Sequence, residues 1–590
     1  MKLTGLSFAL ALLSATAVVT STIPAEARPT ATRKHVAKRS LKKVVAAPKK
    51  LSDPKKIGSQ ARVTYSKAGE MRPTRDVTRG VQARRPEPLT AEEAAAAEIQ
   101  KLLRGPFLRR GITGLFVADA RTGQPLFSVN ATDPVNPASN VKLISTATAL
   151  ELLGPDFRYP TRILGPAPVN GVIKGDVYLL GSYDPTLTTV DMHEIAATMA
   201  RAGITSIEGS IAVGSDPTRD GIYRAVVPIE ITAGEPGQPP TATVPANFDL
   251  VDVKVVATTH KRARKPRLTY KTEITKTEQG YPRITLTIGG VIGKGSATTY
   301  PLWTRQRTAT AAYSLISALR AHSITITGEM KVTELGNFIS DSVLGGALPI
   351  ELGRHESRPL ADIVARVNKW SVNWLADRVV MTAAALGRRQ QPSMELAIEE
   401  MYSWLARHPH IAKPGTIIDT GSGLSYRTQI TTQDLVSVIR AGGGYLGGTD
   451  AKLSAAWLRS LSIAGNDGTL RSRFRNTNAQ GHIVGKTGTL STVIALAGIL
   501  DIDPARPLAF ALVTNTDAPL SKAYVRKAHE QVIGEICKYL GKTAAPTAAA
   551  PLPALPLPGA SVNDASDSEP ELEETSGPDA VLDAETARSK

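Results

Sequence analysis

The 590-residue chain contains a single cysteine, Cys537. One thiol cannot close an internal disulfide, and it cannot build a cysteine-based zinc site. Cys537 shares an apolar stretch of helical spacing with Val532, Ile533, Ile536 and Tyr539, which places it in a core. The nine histidines include no H-E-x-x-H pair, and no G-x-S-x-G turn is present. The glycine-rich segment Gly289 to Gly295 lacks the G-K-[ST] ending of a phosphate loop and reads as a β-turn. His482 reads as a solvent-facing strand residue. Beyond the first twenty residues no segment reaches about 18 uninterrupted apolar residues, so no spanning helix is expected in the body of the chain. These absences point away from zinc hydrolysis, nucleotide binding and membrane residence.

Charge is plentiful but localised. The formal net charge is +17, yet residues 28–85 alone hold 18 Lys and Arg, while the last thirty residues are acidic. The high isoelectric point therefore describes a tail rather than a fold, and no nucleic-acid partner is expected. Residues 28–87 read as a basic disordered spacer and residues 543–590 as an Ala/Pro-rich, then acidic, disordered tail. At the start, Met1-Lys2, the apolar run Leu6 to Val19 and Ala25-Glu26-Ala27 form the pattern of a secretory signal peptide, residues 1–27. The expectation is an exported, periplasmic or extracellular protein that is soluble after cleavage.

Between the tails, the composition is that of a globular chain with more than one domain. Thr90 and Glu93 fit a capping box at the head of a helix that Gly105-Pro106 stops. Gly114 to Val129 reads as a hairpin around Arg121-Thr122-Gly123. From Ser139 to Leu153 apolar and small residues recur at helical spacing until Gly154-Pro155. Residues 166–345 change to Val, Ile and Thr with frequent Gly/Pro turns and read as a β-rich insertion. Helical periodicity resumes from Leu360 to Leu386. Strands are expected within residues 483–515, and a last helix at about 520–540.

Three short motifs occur in order: Ser139-Asn140-Val141-Lys142, Ser371-Val372-Asn373 and Lys486-Thr487-Gly488-Thr489. Any one of them is short enough to arise by accident. Their ordered conjunction matches the S-x-x-K, S-x-N, K-T-G set of serine acyl-transfer enzymes. Residues i and i+3 share a helix face, so Lys142 can reach the Ser139 hydroxyl. A serine hydroxyl needs a neighbouring base, and a lysine serves only when unprotonated. Burial and a second cation, Lys486, would both lower its pKa. Helix N-terminal N–H groups beside Ser139 suit a developing oxyanion. Lys-Thr-Gly on a strand edge offers a cation, a hydroxyl and bare backbone to a carboxylate-bearing extended peptide.

The segments around these motifs carry a more specific resemblance. PASNVKLISTATALELLGPDFRYPT (137–161), GDVYLLGSYDPTLT (175–188), RPLADIVARVNKWSVNWLADRV (358–379), DTGSGLSYRTQIT (419–431), AGNDGTL (464–470) and GKTGTL (485–490) are similar to blocks of one family. That family is the low-molecular-weight class C penicillin-binding proteins of the penicillin-binding protein 4 type, the D-alanyl-D-alanine carboxypeptidase/endopeptidases of peptidase family S13. The likeness spans roughly residues 88–540. Ser139 and Ser371 lie 232 residues apart, too far for a compact class A β-lactamase, and no E-x-x-L-N deacylation signature is present.

The resemblance implies an α+β fold, a penicillin-binding/β-lactamase-like domain with an antiparallel sheet flanked by helices. Residues 88–165 and 346–542 would form this DD-peptidase domain, and residues 166–345 the insertion between the first and second motifs. It implies Ser139 as nucleophile and Lys142 as general base. Ser371 would relay the proton to the leaving amine with Lys486 tuning it. Asn373 would bond the substrate amide and Lys142. Thr487 and Thr489 would contact the terminal carboxylate, with Gly488 between them, and the N–H groups of Ser139 and Thr489 would form the oxyanion hole. Peptidoglycan stem peptides are the implied substrates and β-lactams the covalent inhibitors; neither metal nor organic cofactor is implied. Two departures stand out: Val372 replaces the usual polar residue of the second motif, and Tyr426, then Arg427, follows the G-S-G-L-S block where a basic residue is usual. Residues 28–85 could hold the enzyme near anionic wall polymer or a membrane surface. The competing readings are a non-catalytic wall-binding scaffold, a transpeptidase and a β-lactamase.

Overall fold

The computed structural model describes residues 89–543 except 215–225, 245–249, 263–265, 277–281, 303–306, 329, 334–348, 409–414 and 520. The signal-peptide, basic-spacer and acidic-tail expectations lie outside the described residues. No helix among the described residues is long and apolar enough to cross a membrane.

The functional half is built on one six-stranded antiparallel sheet. Its strands are β1 (Ile112–Asp119), β2 (Pro125–Val129), β3 (Ser462–Ile463), β4 (Ile483–Thr489), β5 (Val493–Leu500) and β6 (Leu508–Asn515), in the order β3-β4-β5-β6-β1-β2. β1 and β2 are the expected hairpin, with a register shift at Val117/Ala118. β5 is buried at every position because both faces of the sheet are covered. Its Val493, Ala495, Ala497 and Ile499 join one core, and Ile494, Leu496 and Leu500 join the other. The same alternation in β6 puts Ala509, Ala511 and Val513 against Phe510 and Leu512. Alanines thus dominate the first face, which allows helices to approach the sheet closely.

Helix α1 (Ala91–Leu103) and the last helix, α10 (Lys522–Thr543), cover the second face. The α1 capping box is complete: Glu93 N donates to Thr90 Oγ1 at 3.2 Å, and Thr90 N to Glu93 Oε2 at 2.9 Å. Cys537 is buried in this core. The first face carries α2 (Lys142–Leu153), α5 (Leu360–Trp370), α6 (Asn373–Arg388), α7 (Met394–Arg407), α8 (Thr432–Gly442) and α9 (Ala451–Ser460). α2 is buried along most of its length and packs on α5, α6, α7, α8 and α9. A helix apolar and small on all sides belongs in such a centre.

Between the first two motifs the chain forms further sheets. Strands Pro160–Gly165, Val177–Leu180, Ile211–Gly214, Met330–Thr333 and Ile350–Glu356 make one five-stranded sheet. Two of its strands, Pro160–Gly165 and Ile350–Glu356, lie outside the expected limits 166 and 345. The two helices packed on it, α3 (Thr189–Arg201) and α4 (Arg307–Ala321), were not anticipated from the β-rich composition. Two smaller sheets share a separate core around Ile229, Leu286 and Ile288. Gly289 to Gly295, expected as a turn, runs instead within the long strand Pro282–Gly293 and turns only at its end. Gly290 has φ 90°, and a Cβ there would lie 2.2 Å from the Arg267 carbonyl oxygen, so glycine serves strand packing at this point. His482 is half-buried and its Nδ1 lies 2.9 Å from the Asp501 carbonyl oxygen, rather than facing solvent.

Candidate active site

Three pieces of chain meet at the open end of the β4 edge. The first is a 3₁₀ turn, Ala138–Val141, which carries Ser139 and passes directly into α2 at Lys142. Asn136 prepares this turn. Its Oδ1 accepts from Ala138 N at 2.8 Å, and its Nδ2 donates to the Ser425 carbonyl at 2.9 Å. Ala138 is thereby held at φ 46°, a left-handed conformation that costs a residue with a Cβ roughly 1–2 kcal/mol. Ser139 itself is half-buried, open enough to be attacked or to attack.

The second piece is Ser371-Val372-Asn373. A continuous helix from Leu360 to Leu386 was expected, and the helix breaks instead. α5 ends at Trp370, Ser371 takes φ 61°, ψ 36°, Val372 is extended, and α6 restarts at Asn373. The break has a geometric reason. Residues two apart on an unbroken helix diverge by about 200°, so Ser371 and Asn373 could not both face Ser139. The left-handed turn brings both side chains to the same point, while Val372 packs against the apolar core.

The third piece is β4 itself. Lys486 Nζ donates to Ser371 Oγ at 2.8 Å and to the Thr487 carbonyl at 3.0 Å. Gly488 lies against the nucleophile turn: a Cβ there would sit 2.5 Å from the Pro137 carbonyl oxygen and 3.2 Å from Ala138 Cβ. Thr487 Oγ1 donates to Thr469 Oγ1 at 2.9 Å, and Thr489 Oγ1 accepts from Arg526 Nη2 at 3.0 Å. The three motifs thus converge through Ser139, Lys142, Asn373, Ser371 and Lys486.

Lys142 is the centre of the cluster and is 0% exposed. Its Nζ lies 3.1 Å from Ser139 Oγ, 2.6 Å from Asn373 Oδ1 and 2.6 Å from the Ser422 carbonyl oxygen. A neutral amine has two N–H donors and one lone pair. The two carbonyl oxygens can only accept, so the lone pair is left for the Ser139 hydroxyl. Burial lowers the Lys142 pKa from 10.5 to about 7, with the Asp377 carboxylate acting in the opposite direction. Burial, and then the charge of Lys142, holds Lys486 well below the usual lysine range. Two buried amines this close do not both keep a proton.

Several contributors had no sequence signal of their own. The Ser422 carbonyl acts through backbone, so the serine side chain does not identify it; the flanking glycines do. Gly423 has φ 77°, and a Cβ on it would lie 2.1 Å from the Ala138 carbonyl oxygen. Gly421 is pressed on α6, and its carbonyl accepts from Ser145 Oγ at 2.6 Å. Tyr426 ties this loop to the turn after β4, with Oη 2.6 Å from Ser491 Oγ, while Arg427 pairs with Asp419. A group of metal-ligand type, Asp191, Glu194 and His355, has its ligand atoms within 4.8 Å of one another. It lies on α3 and the strand Ile350–Glu356, apart from the cluster around Ser139.

The sequence profile of the D-Ala-D-Ala carboxypeptidase 3 (S13) family matches residues 95–221 and 216–534. The chain belongs to that family. It is 27% identical over 450 residues to a D-alanyl-D-alanine carboxypeptidase of Actinomadura sp., covering 71% of this chain and 80% of that protein. It is 22% identical over 433 residues to the D-alanyl-D-alanine carboxypeptidase DacB of Haemophilus influenzae, covering 68% of this chain and 85% of that protein. The crystal structure of penicillin binding protein 4 from Haemophilus influenzae, complexed with a β-lactam, superposes with a TM-score of 0.55 at 20% identity. That match covers 74% of this chain and 99% of the other. The likeness is one of fold: the chain has the α+β, penicillin-binding type of architecture.

Proposed function

We propose that the chain is a serine D,D-peptidase of peptidoglycan, working through an acyl-enzyme on Ser139. Its substrates would be stem peptides ending in D-Ala-D-Ala (carboxypeptidase action) and D-Ala–meso-diaminopimelate cross-links (endopeptidase action). The observation that carries this reading is the environment of Lys142: a fully buried amine, its two donors engaged by carbonyl oxygens, 3.1 Å from Ser139 Oγ.

The residues act as follows. Neutral Lys142 takes the Ser139 proton as Oγ attacks the carbonyl carbon of the penultimate D-Ala. Negative charge gathers on the carbonyl oxygen, where the N–H groups of Ser139 and Thr489 would receive it. The carbon–nitrogen bond then breaks. The proton held by Lys142 reaches the leaving nitrogen through Ser371 Oγ, which Lys486 positions at 2.8 Å. Water attacks the resulting ester, giving its proton back through Lys142 and freeing Ser139. Asn373 holds Lys142 in place and offers its amide N–H₂ to the substrate peptide. Thr487 and Thr489 would receive the terminal carboxylate, and Gly488 between them lets the strand lie against the Pro137–Ala138 turn that carries Ser139. A β-lactam presents the same carbonyl and carboxylate and would acylate the same serine. The named activity of the relatives and the β-lactam complex of the Haemophilus influenzae protein support this reading.

Residues 1–27 would direct export to the periplasm or cell exterior, where this substrate is found, and residues 28–85 would bind anionic wall polymer or a membrane surface. The test is digestion of purified muropeptides. The wild type should release D-Ala from pentapeptides or split cross-linked dimers, and Ser139→Ala and Lys142→Ala should do neither. Undiminished activity in Ser139→Ala would refute the assignment.

A further inference from the structure

The proposed reaction leaves one charge unbalanced. A substrate ending in D-Ala brings an α-carboxylate to the end of β4, beside Thr487 and Thr489. Hydroxyls there can donate hydrogen bonds but bring no countercharge, and a desolvated carboxylate without a cation is costly. The lysines of the site are poor candidates for that role. Lys486 spends donors on Ser371 Oγ and the Thr487 carbonyl. It is also fully buried beside Lys142, a position that favours the neutral amine.

One arginine is placed to supply the charge. Strand alternation sends Lys486 and Gly488 to the face that carries Ser139, and Thr487 and Thr489 to the opposite face, where α10 packs. Arg526, near the start of α10, reaches the end of β4 from that side and donates Nη2 to Thr489 Oγ1 at 3.0 Å. It is half-buried. The neighbouring Arg473 is already neutralised, with Nε 2.7 Å from Glu530 Oε1. Among the described residues no carboxylate is paired with Arg526. The hydrogen bond also sets the polarity of Thr489. Because its oxygen accepts from Arg526, its hydrogen is free to be given outward, to an acceptor at the strand edge.

We propose that Arg526 is the cation that recognises the substrate's terminal carboxylate, directly and through the Thr489 hydroxyl that it orients. The assignment rests on the reading of Ser139 as a D,D-peptidase nucleophile and adds a binding residue to it. It makes the C-terminal helix part of the substrate site, and it makes a free carboxylate next to the scissile bond a requirement.

The experiment compares two synthetic peptides, one ending in D-Ala-D-Ala with a free carboxylate and one with the terminal carboxamide. Cleavage is measured as kcat/KM in wild type, Arg526→Gln and Arg526→Lys. The wild type should prefer the carboxylate, and the preference should weaken as salt is raised. Arg526→Gln should cut that preference about 10- to 100-fold, mostly through KM, the range of one charge-assisted hydrogen bond. Arg526→Lys should restore part of it. A merely structural arginine would lower both substrates equally, and equal loss overturns the proposal, as does a wild type that shows no preference. Labelled-penicillin capture at Ser139 in wild type, run in parallel, separates the two readings. Capture with an unchanged preference in Arg526→Gln rejects Arg526 alone, whereas no capture rejects the nucleophile assignment itself.

Discussion

The pH dependence of acylation gives the base assignment a quantitative form. Lys142 acts as a base only when neutral, and its pKa is lowered to about 7 by burial. With that value the neutral fraction is about a tenth at pH 6 and about nine-tenths at pH 8. Second-order acylation of Ser139 by penicillin should therefore rise about tenfold between pH 6 and pH 8 and level off above. The sign follows from the chemistry, since protonation removes the lone pair that receives the serine proton. The perturbation that identifies the titrating group is Asp377→Asn. The Asp377 carboxylate favours the charged form of Lys142, so removing its charge should move the acid limb to lower pH. Stopped-flow acylation between pH 5 and 9, in wild type and Asp377→Asn, provides both profiles. The amines of Lys142 and Lys486 titrate as a pair, so the limb reports the pair's apparent value. A rate independent of pH down to pH 5, or a limb that moves upward in Asp377→Asn, would refute the reasoning.

Three further outcomes are expected. Lys142→Met should abolish turnover and raise stability at neutral pH. A lysine whose folded pKa is lowered from 10.5 to about 7 withholds stability that is fully present only above 10.5 and is lost as pH falls toward 7, on the order of 4 kcal/mol; thermal unfolding from pH 7 to 10.5 should rise with pH in wild type and rise less steeply in the variant, where buried Lys486 still contributes a slope of the same sign. Ser371→Gly should reduce kcat about 10²-fold or more because the proposed relay hydroxyl is gone, with little net change in stability: relief of the left-handed backbone at φ 61°, worth about 1 kcal/mol, is offset by the lost hydrogen bond to buried Lys486; calorimetry and steady-state kinetics read the two effects separately. Gly423→Ala should displace the Ser139 turn, since its Cβ would lie 2.1 Å from the Ala138 carbonyl oxygen, and slow penicillin acylation far more than it weakens folding.

Much of this site was legible in the sequence because its chemistry depends on side chains at fixed local spacing. Ser139 and Lys142 are one turn apart, and Lys486, Thr487 and Thr489 follow one another on a strand. Helical periodicity found α2, and continuous apolar runs found β5 and β6. What stayed hidden has physical causes. The break at Ser371 arises from a left-handed serine, and serine has no local preference that announces it. The carbonyl of Ser422 is a backbone atom delivered by a loop, and any residue at 422 would present it. Arg526 joins Thr489 across 37 residues through tertiary packing, so neither residue marks the other. In the inserted region, β-branched composition concealed α3 and α4, because a helix packed on a sheet carries many of the same apolar residues. The pair of glycines at 289–290 reads as a turn in isolation, but cross-strand pairing decides that it is strand.

The central claim, that Ser139 is the nucleophile activated by Lys142, is tested most directly by trapping it. Purified protein incubated with labelled penicillin at pH 8 and mapped by mass spectrometry should carry one adduct on the peptide containing Ser139. The same adduct should be absent from Ser139→Ala and formed slowly in Lys142→Ala. A wild type without adduct at Ser139, or one labelled at another residue, would contradict the account.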